Sequence, residues 1–267
     1  MNIDVFLNDL WQDYTSVSPN AARIHQIFSD EGEEVVNDHV AFRTFNIAPI
    51  NLSSLEKQLI SLGYQPLDDY RFSDRHLIAK SYRHNEAGRP LIFLSELQTE
   101  ALTEKSQEII QRLCQQIPDD LTQTLKVFMA GTPWSTINWQ EYQQLHQDSD
   151  YAAWLATMGL RANHFTVSIN HLKNYSSVSE VLDHVESFGF TINESGGRIK
   201  GGERVLLEQG ATLAEPIEYR FSDQSEHLIP ACFYEFARRF PTKEGELYQG
   251  FVEANANRIF DSTAAKY

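Results

Sequence analysis

The segment NDHVAFRTF, residues 37–45, has the pattern of a β-strand that carries a histidine and an arginine on one side. Alternate residues of a strand point to the same face, so His39 and Arg43 share a face with Ala41 and Phe45. A buried face would normally hold two more hydrophobic residues. Imidazole is a common metal ligand, and a guanidinium can bind a carboxylate through two parallel hydrogen bonds. The segment therefore predicts a site in which a metal and an anionic ligand lie close together.

Three further polar residues lie in segments that otherwise have the composition of apolar strands. His164 is near the start of RANHFTVSIN, Glu96 is near the end of IFLSEL, and Glu235 lies in CFYEFARRF. Two imidazoles and one carboxylate form the facial triad that holds non-haem Fe(II) and leaves positions open for O₂ and substrate. His39 and His164 supply the two imidazoles of such a triad, and either glutamate can supply the carboxylate.

Each of these residues also has an ordinary structural explanation. A histidine in a strand is usually a hydrogen-bonded core residue, Glu235 could pair with Arg238 or Arg239, and Glu96 could sit at the rim or the start of the following helix. Arg43 could form an ion pair with a nearby acid. The recurrence of a strand histidine at matching places in two units favours the metal-site interpretation.

The elements that must position these residues occur twice along the chain. Each histidine-bearing strand is followed by a serine that begins a predicted helix: Ser53 comes 14 residues after His39, and Ser177 comes 13 residues after His164. More strand-like segments follow each helix, and in the second unit they are RVLLEQGATL, IEYRFSD and PACFYEFARRF. The sequence therefore predicts two β-α-β-β-β modules whose sheets enclose a metal pocket.

The whole chain, residues 1–267, is expected to form a single α+β domain. Its predicted parts are N-terminal helices (1–34), a first module (35–100), a helical insertion around a short strand LKVFMAG (101–160), a second module (161–240) and a C-terminal helix (241–267). The segment ESGGRIKGGE lacks the GK[ST] ending of a phosphate loop and precedes no helix, so a hairpin or lid loop is predicted there.

The composition limits the partners and the compartment. Lys and Arg number 22 against 37 Asp and Glu, so the net charge is −15, which disfavours nucleic acid and anionic membranes as partners. The two cysteines, Cys114 and Cys232, have no metal-binding or disulfide spacing. The acidic N-terminus is unlike a signal peptide, and no apolar stretch approaches the roughly 20 residues that span a bilayer. A cytoplasmic protein is expected.

Five segments together resemble the 2-oxoadipate dioxygenase/decarboxylase family, which is related to the vicinal-oxygen-chelate enzymes: NDHVAFRTFN, IFLSEL, GGRIKGG, LLEQGATL and IPACFYEFARRF. The resemblance extends over about residues 35–240. It implies metal ligands at His39, His164 and Glu235, with substrate contacts at Arg43 and Gln209. The family pattern has two serines after this glutamine, where the present chain has Gly210 and Ala211. That departure concerns the substrate more than the metal.

The resemblance implies an Fe(II)-dependent enzyme that takes a 2-oxo acid and O₂, releases CO₂ and leaves a 2-hydroxy acid. For the family, the substrate is 2-oxoadipate and the product 2-hydroxyglutarate, a step of lysine breakdown. Two alternatives stay open. One is a glyoxalase-like lyase or isomerase that uses Zn or Ni with Glu96 as fourth ligand or base. The other is a protein of the same architecture that binds a small acid without turnover. The sequence does not predict the oligomeric state.

Overall fold

The computed structural model describes residues 2–264 of the chain. The helices within this range are α1 Ile3–Val17, α2 Pro19–Asp30, α3 Leu52–Ser61, α4 Glu104–Cys114, α5 Trp139–Asp148, α6 Asp150–Met158, α7 Val178–Ser187 and α8 Glu253–Ile259. The strands are β1 Asn37–Phe45, β2 Tyr64–Phe72, β3 Leu77–His84, β4 Leu91–Leu97, β5 Ala162–Ser168, β6 Lys200–Gly202, β7 Leu207–Ala211, β8 Pro216–Arg220, β9 Glu226–Pro230 and β10 Phe233–Arg239. This mixture of helices and strands confirms the predicted α+β class.

One eight-stranded sheet organises the molecule, in the order β2-β3-β4-β1-β5-β10-β7-β6. Strands β1 and β5 pair antiparallel at its centre, β4 lies parallel to β1, and β10 lies parallel to β5. The two halves therefore have the same strand arrangement, related by a pseudo-twofold axis between β1 and β5. Helix α3 follows the first strand of one half, and α7 follows the first strand of the other. This is the repeated β-α-β-β-β unit that the sequence predicts.

The predicted place of one strand in the second unit was wrong. The segment IEYRFSD contributes a strand, β8, as predicted, but this strand pairs with β9 in a separate two-stranded sheet. Its place in the main sheet is taken by β6, from the segment predicted as a hairpin or lid loop. This strand has only three residues, two of them glycine, so it offers no alternation of apolar and polar residues that a sequence pattern could detect.

The prediction of a short strand in LKVFMAG was also wrong, because Leu125–Met129 forms a 3₁₀ helix. Val127 and Phe128 are buried, and the helix packs against α1 and α3 rather than pairing with a strand. Only Gly131, after the helix, makes an isolated bridge, to Leu160. A short apolar segment that is buried on two sides can be a helix as readily as a strand, so its sequence pattern does not distinguish them.

Helix starts agree with the sequence in one unit and differ in the other. The Ser177 side chain accepts a hydrogen bond from the Glu180 N–H and caps α7, as predicted. In the first unit, the cap is Asn51, whose side chain accepts from the Ser54 N–H, so the cap lies two residues before the predicted Ser53. Both residue types are good N-caps, and only the backbone conformation decides between them.

Within the described residues, the C-terminal helix is much shorter than the predicted 241–267, of which 265–267 lie outside the described range. It spans Glu253–Ile259 and continues as a 3₁₀ turn, Phe260–Thr263. Gly245 precedes it with a positive φ of 88°, a conformation that interrupts a helix. The described C-terminal segment packs against β2, β6 and β7. No helix among residues 2–264 is long and apolar enough to cross a membrane.

Candidate metal and substrate site

Three side chains from three neighbouring strands meet on one face of the sheet. His39 of β1 lies opposite Thr166 of β5, and Thr166 lies opposite Glu235 of β10. His164 is in the adjacent row, opposite Ala41. Residues paired across strands point to the same face, so the side chains of His39, His164 and Glu235 converge. Their ligand atoms all lie within 4.8 Å of one another, and all three residues are buried.

Both imidazole rings are oriented by an acceptor on the preceding residue. His39 Nδ1 is 2.7 Å from Asp38 Oδ1, and His164 Nδ1 is 3.1 Å from Asn163 Oδ1. A ring that donates through Nδ1 presents the lone pair of Nε2 to a metal, and in His39 this atom lies 3.1 Å from the Thr166 Oγ1 hydroxyl. These Nε2 atoms face Glu235, at 3.6 Å from Oε1 for His39 and 3.1 Å from Oε2 for His164.

Asp38 is itself fixed by Arg239, which was not predicted to take part in the site. Arg239 Nε donates to Asp38 Oδ2 at 2.7 Å, and Nη2 donates to Oδ1 at 2.9 Å. Burial alone would raise the pKa of Asp38, but Arg239 and His39 outweigh it and hold that pKa far below its usual value. Arg239 thus pairs with Asp38 rather than with Glu235. The acid directly before His39 was a sequence signal for such a partner.

Glu235 has one satisfied and one unsatisfied oxygen. Oε1 accepts a hydrogen bond of 2.6 Å from Gln209 Nε2. Oε2 has no hydrogen-bond partner among the described residues, and His164 Nε2, 3.1 Å away, has no proton to donate when the ring proton is on Nδ1. Burial would raise the pKa of Glu235, but the neighbouring His39 and His164 lower it below the usual value. A buried, ionised oxygen without a donor is costly, so the donor set fits a divalent cation.

Gln209, the predicted substrate contact, lies beside the group and is held from two sides. Besides donating to Glu235, its Oε1 accepts a hydrogen bond of 3.1 Å from Asn255 Nδ2 on α8. Gly210 faces away from the site, since a Cβ there would lie 2.7 Å from Leu182 of α7. The departure from the family pattern at Gly210 therefore concerns helix packing. Asn255 was missed by sequence analysis because no pattern links α8 to β7.

Arg43, further along β1, lies buried among aromatic rings. Its guanidinium carbon is 4.9 Å from the ring centre of Trp154, 5.0 Å from that of Tyr151 and 5.6 Å from that of Phe260. Nη2 donates to Thr263 Oγ1 at 2.9 Å. Within residues 2–264, Nε and Nη1 have no hydrogen-bond partner, and no acid forms an ion pair with the guanidinium. The acidic partner considered as a structural explanation is thus not present there.

Burial lowers the pKa of Arg43 to about 10, so the side chain stays charged at neutral pH. A buried cation without an anion is unfavourable. The two unpaired N–H groups are therefore suited to a carboxylate, which accepts such pairs of hydrogen bonds.

Glu96 lies apart from the group that the other residues form. It is opposite Thr44 in β1, whereas Phe93 is opposite Ala41, so Glu96 points to the other face of the sheet. There its Oε2 accepts a hydrogen bond of 2.6 Å from the Leu52 N–H at the start of α3. This carboxylate has the structural role of holding a helix N-terminus.

The chain is similar to known proteins over most of its length. A model of the 2-oxoadipate dioxygenase/decarboxylase family matches residues 7–246. The chloroplastic/amyloplastic enzyme of that name from Oryza sativa subsp. japonica is 30% identical over 275 residues, covering 94% of this chain and 76% of the rice protein. The chloroplastic enzyme from Arabidopsis thaliana is 28% identical over 263 residues, covering 88% of this chain and 70% of its own length.

Solved structures share the fold over almost the full chain. Hydroxyglutarate synthase from Oryza sativa, in complex with 2-oxoadipate, has a TM-score of 0.92 at 28% identity, covering 97% of this chain and 91% of that one. A Shewanella frigidimarina protein, provisionally named a hydrolase, has a TM-score of 0.89 at 43% identity and covers 95% and 98%. A glyoxalase superfamily protein from Ralstonia eutropha JMP134, 19% identical with a TM-score of 0.77 over 91% and 83%, shares the fold.

These likenesses confirm the predicted vicinal-oxygen-chelate-like fold. Because the family model spans most of the sequence and the rice enzyme is 30% identical over 94% of it, this chain belongs to the 2-oxoadipate dioxygenase/decarboxylase family.

Proposed function

We propose that this protein is an Fe(II)-dependent enzyme that converts a 2-oxo diacid and O₂ into CO₂ and a 2-hydroxy acid one carbon shorter. With 2-oxoadipate as substrate, C₆H₈O₅ and O₂ give 2-hydroxyglutarate, C₅H₈O₅, and CO₂. The observation that carries the proposal is a pair of binding elements on one face of the sheet. A buried His-His-Glu group, contributed by β1, β5 and β10, lies near one end of β1, and a buried guanidinium that forms no ion pair among the described residues lies further along β1.

His39, His164 and Glu235 would hold the metal. Nitrogen and carboxylate ligands on one side of an ion leave positions open for substrate and O₂, as in non-haem Fe(II) oxygenases. When bound, Fe(II) supplies the redox chemistry that lets O₂ react with an organic acid. Asp38 and Asn163 orient the two imidazoles so that each Nε2 faces the metal position, because each accepts from a ring Nδ1.

Arg43 would bind the distal carboxylate of the substrate through its two unpaired N–H groups. His39 and Arg43 are four residues apart, about 13 Å along a strand at the usual rise. After the lengths of the two side chains and the metal are subtracted from that distance, the remaining distance suits a six-carbon diacid. The rice relative is named as a complex with 2-oxoadipate, which supports this substrate.

The glyoxalase-like alternative requires Glu96 as ligand or base, and this carboxylate holds the Leu52 N–H on the opposite face. A measurement of turnover distinguishes the proposed enzyme from the alternative of a protein that binds a small acid without turnover. The cytoplasmic location stays a prediction from sequence.

The test is an oxygen-electrode trace of Fe(II)-loaded protein with 2-oxoadipate. We expect O₂ and 2-oxoadipate to be consumed in equal amounts, with label from ¹⁸O₂ entering 2-hydroxyglutarate. Turnover without oxygen would support the lyase or isomerase instead. Tight binding of 2-oxo acids with no turnover would identify a sequestering protein.

A further inference from the structure

The cavity at the His-His-Glu group is very small. It has a volume of about 20 Å³, and its lining also includes the apolar residues Phe93, Phe251 and Phe260. A cavity of that volume holds about one water molecule. A six-carbon acid with two carboxylates cannot enter it unless part of the wall moves.

Arg43 lines a different and larger cavity. This second space has a volume of about 260 Å³ and is bounded by residues that include Arg75, Tyr151 and Thr263. Phe260 lines it as well, and among the described residues Phe260 is the only one that lines both cavities. The side chain of Phe260 thus stands between the candidate metal ligands and the candidate carboxylate anchor.

The position of Phe260 depends on a turn, Phe260–Thr263, that is held by partly exposed and by buried polar contacts. Arg75 Nε donates to Asn257 Oδ1 at 2.5 Å and Nη2 donates to the Asn257 carbonyl at 2.8 Å; Nη2 also pairs with Asp261. Ser195 Oγ donates to Asp261 Oδ2. The Arg75 and Asp261 side chains are 28% and 20% exposed. Buried bonds hold the same turn, since Asn193 Nδ2 donates to Ser262 Oγ at 2.8 Å and Arg43 Nη2 donates to Thr263 Oγ1 at 2.9 Å. A movement that connects the two cavities is therefore one of the Phe260 side chain.

We propose that Phe260 is a gate between the two cavities and that its size sets which diacid lengths are accepted. The inference rests on the proposed function, since it assumes one ligand that reaches from the His-His-Glu group to Arg43. Such a ligand displaces the Phe260 ring and then packs against it. Phe260 is therefore a specificity-determining residue.

The test compares Phe260→Leu with Phe72→Leu. Phe72 packs edge-on against Phe260, with ring centres 5.3 Å apart, but lines neither cavity. We expect Phe260→Leu to raise kcat/KM for a seven-carbon 2-oxo diacid relative to the six-carbon one by on the order of tenfold, the usual effect of one methylene in a fitted pocket. Phe72→Leu should keep the wild-type ratio. The same ratio in both variants would overturn the proposal.

Phe260→Trp narrows the passage and provides the opposite change. We expect it to weaken binding of 2-oxoadipate while a four-carbon monocarboxylic 2-oxo acid, which ends before the gate, binds as in the wild type. Equal weakening of both acids would contradict a gate.

Anaerobic calorimetry with metal-loaded protein separates this proposal from the proposed function, because it measures binding without turnover. A wild-type protein that binds 2-oxo diacids but never consumes oxygen would refute the proposed reaction, and the length dependence of Kd in the variants would still test the gate. A wild-type protein that binds no 2-oxo diacid would refute both.

Discussion

At the scale of single residues, Arg43 shows how a buried charge with unpaired hydrogen-bond donors indicates a ligand. Its guanidinium is buried among three aromatic rings, and only Nη2 has a hydrogen-bond partner among the described residues. Cation–π contacts of this kind offset part of the desolvation cost of a guanidinium. They do not satisfy Nε and Nη1, which remain available to a carboxylate.

Arg43→Lys is therefore expected to be a severe change although it keeps the charge. A lysine ammonium lacks the planar pair of donors that matches a carboxylate, and a hydrogen bond to a charged group contributes about 1.5–3 kcal/mol. Affinity for 2-oxoadipate should fall roughly tenfold or more, with little change for a monocarboxylic 2-oxo acid. Titration calorimetry measures both. Equal losses would mean that Arg43 has a structural role or serves the metal-bound end.

The two glutamates provide a matched pair for testing the ligand assignment. Glu235→Ala removes a fully buried carboxylate that faces both histidines, so bound iron should fall sharply. Glu96→Ala should leave one iron per chain and reduce stability by about 1–3 kcal/mol, because the Leu52 N–H loses its acceptor. Metal analysis and chemical denaturation measure the two effects. The reverse pattern, with iron lost only in Glu96→Ala, would favour the glyoxalase-like arrangement.

At the scale of elements, the C-terminal helix α8 completes the site from outside the sheet. Asn255 Nδ2 donates to Gln209 Oε1 at 3.1 Å and to the Leu207 carbonyl at 3.3 Å. Because Gln209 Oε1 accepts this bond, its Nε2 is the atom that faces Glu235. The docking of one helix thereby fixes the orientation of a candidate metal ligand on a strand.

Asn255→Ala should consequently weaken metal binding although Asn255 is not a ligand. Loss of an outer hydrogen-bond partner typically costs 10–100-fold in metal affinity, and we expect about tenfold here because Gln209 stays in place. Titration with Co(II), followed by absorbance, measures the affinity. Arg258→Ala, on the same helix with a side chain 56% exposed, is the control and should bind Co(II) as the wild type does. Equal affinity in both variants would show that α8 does not position the site.

At the scale of the whole molecule, the candidate metal site joins the two halves of the sheet. His39 comes from the first half, and His164 and Glu235 come from the second. A ligand that binds only the folded protein stabilises it by about 2.7 kcal/mol at a concentration of 100 times Kd. A metal at this position should therefore hold β1, β5 and β10 together.

Metal removal should accordingly lower the thermal stability of the whole chain. Treatment with a chelator is expected to reduce Tm by about 5–10 °C, the shift that ~2.7 kcal/mol produces in a chain of this length. Differential scanning calorimetry measures it. His164→Ala should show no difference between chelated and metal-supplemented samples. A chelator shift that persists in this variant would place the stabilising ion elsewhere.

The sequence alone was sufficient for properties that depend on local pattern. Period-two alternation places His39 and Arg43 on one face of β1, and a strand histidine recurs with a following helix in each half. Ser177 could be identified as a helix cap for the same reason, because its hydrogen bond is to the next turn of its own helix.

The choice between Glu96 and Glu235 required the tertiary structure. Both lie in apolar strands, and the face that a strand residue presents is decided by register, in which a shift of one residue reverses every side chain. Leu91 lies opposite His39 and Phe233 opposite His164, so two residues further on the equivalent positions are Phe93 and Glu235. Glu96, three residues beyond Phe93, points away.

The residues that pack over the site from the C-terminal segment could likewise not be predicted from local sequence patterns. Asn255, Phe260 and Thr263 reach the sheet only because the chain returns across it after β10. Such contacts join residues far apart in the chain and leave no periodic trace in the sequence. The candidate ligands can be recognised in short sequence segments. The size of the cavities beside them depends on the packing of segments that are far apart in the chain.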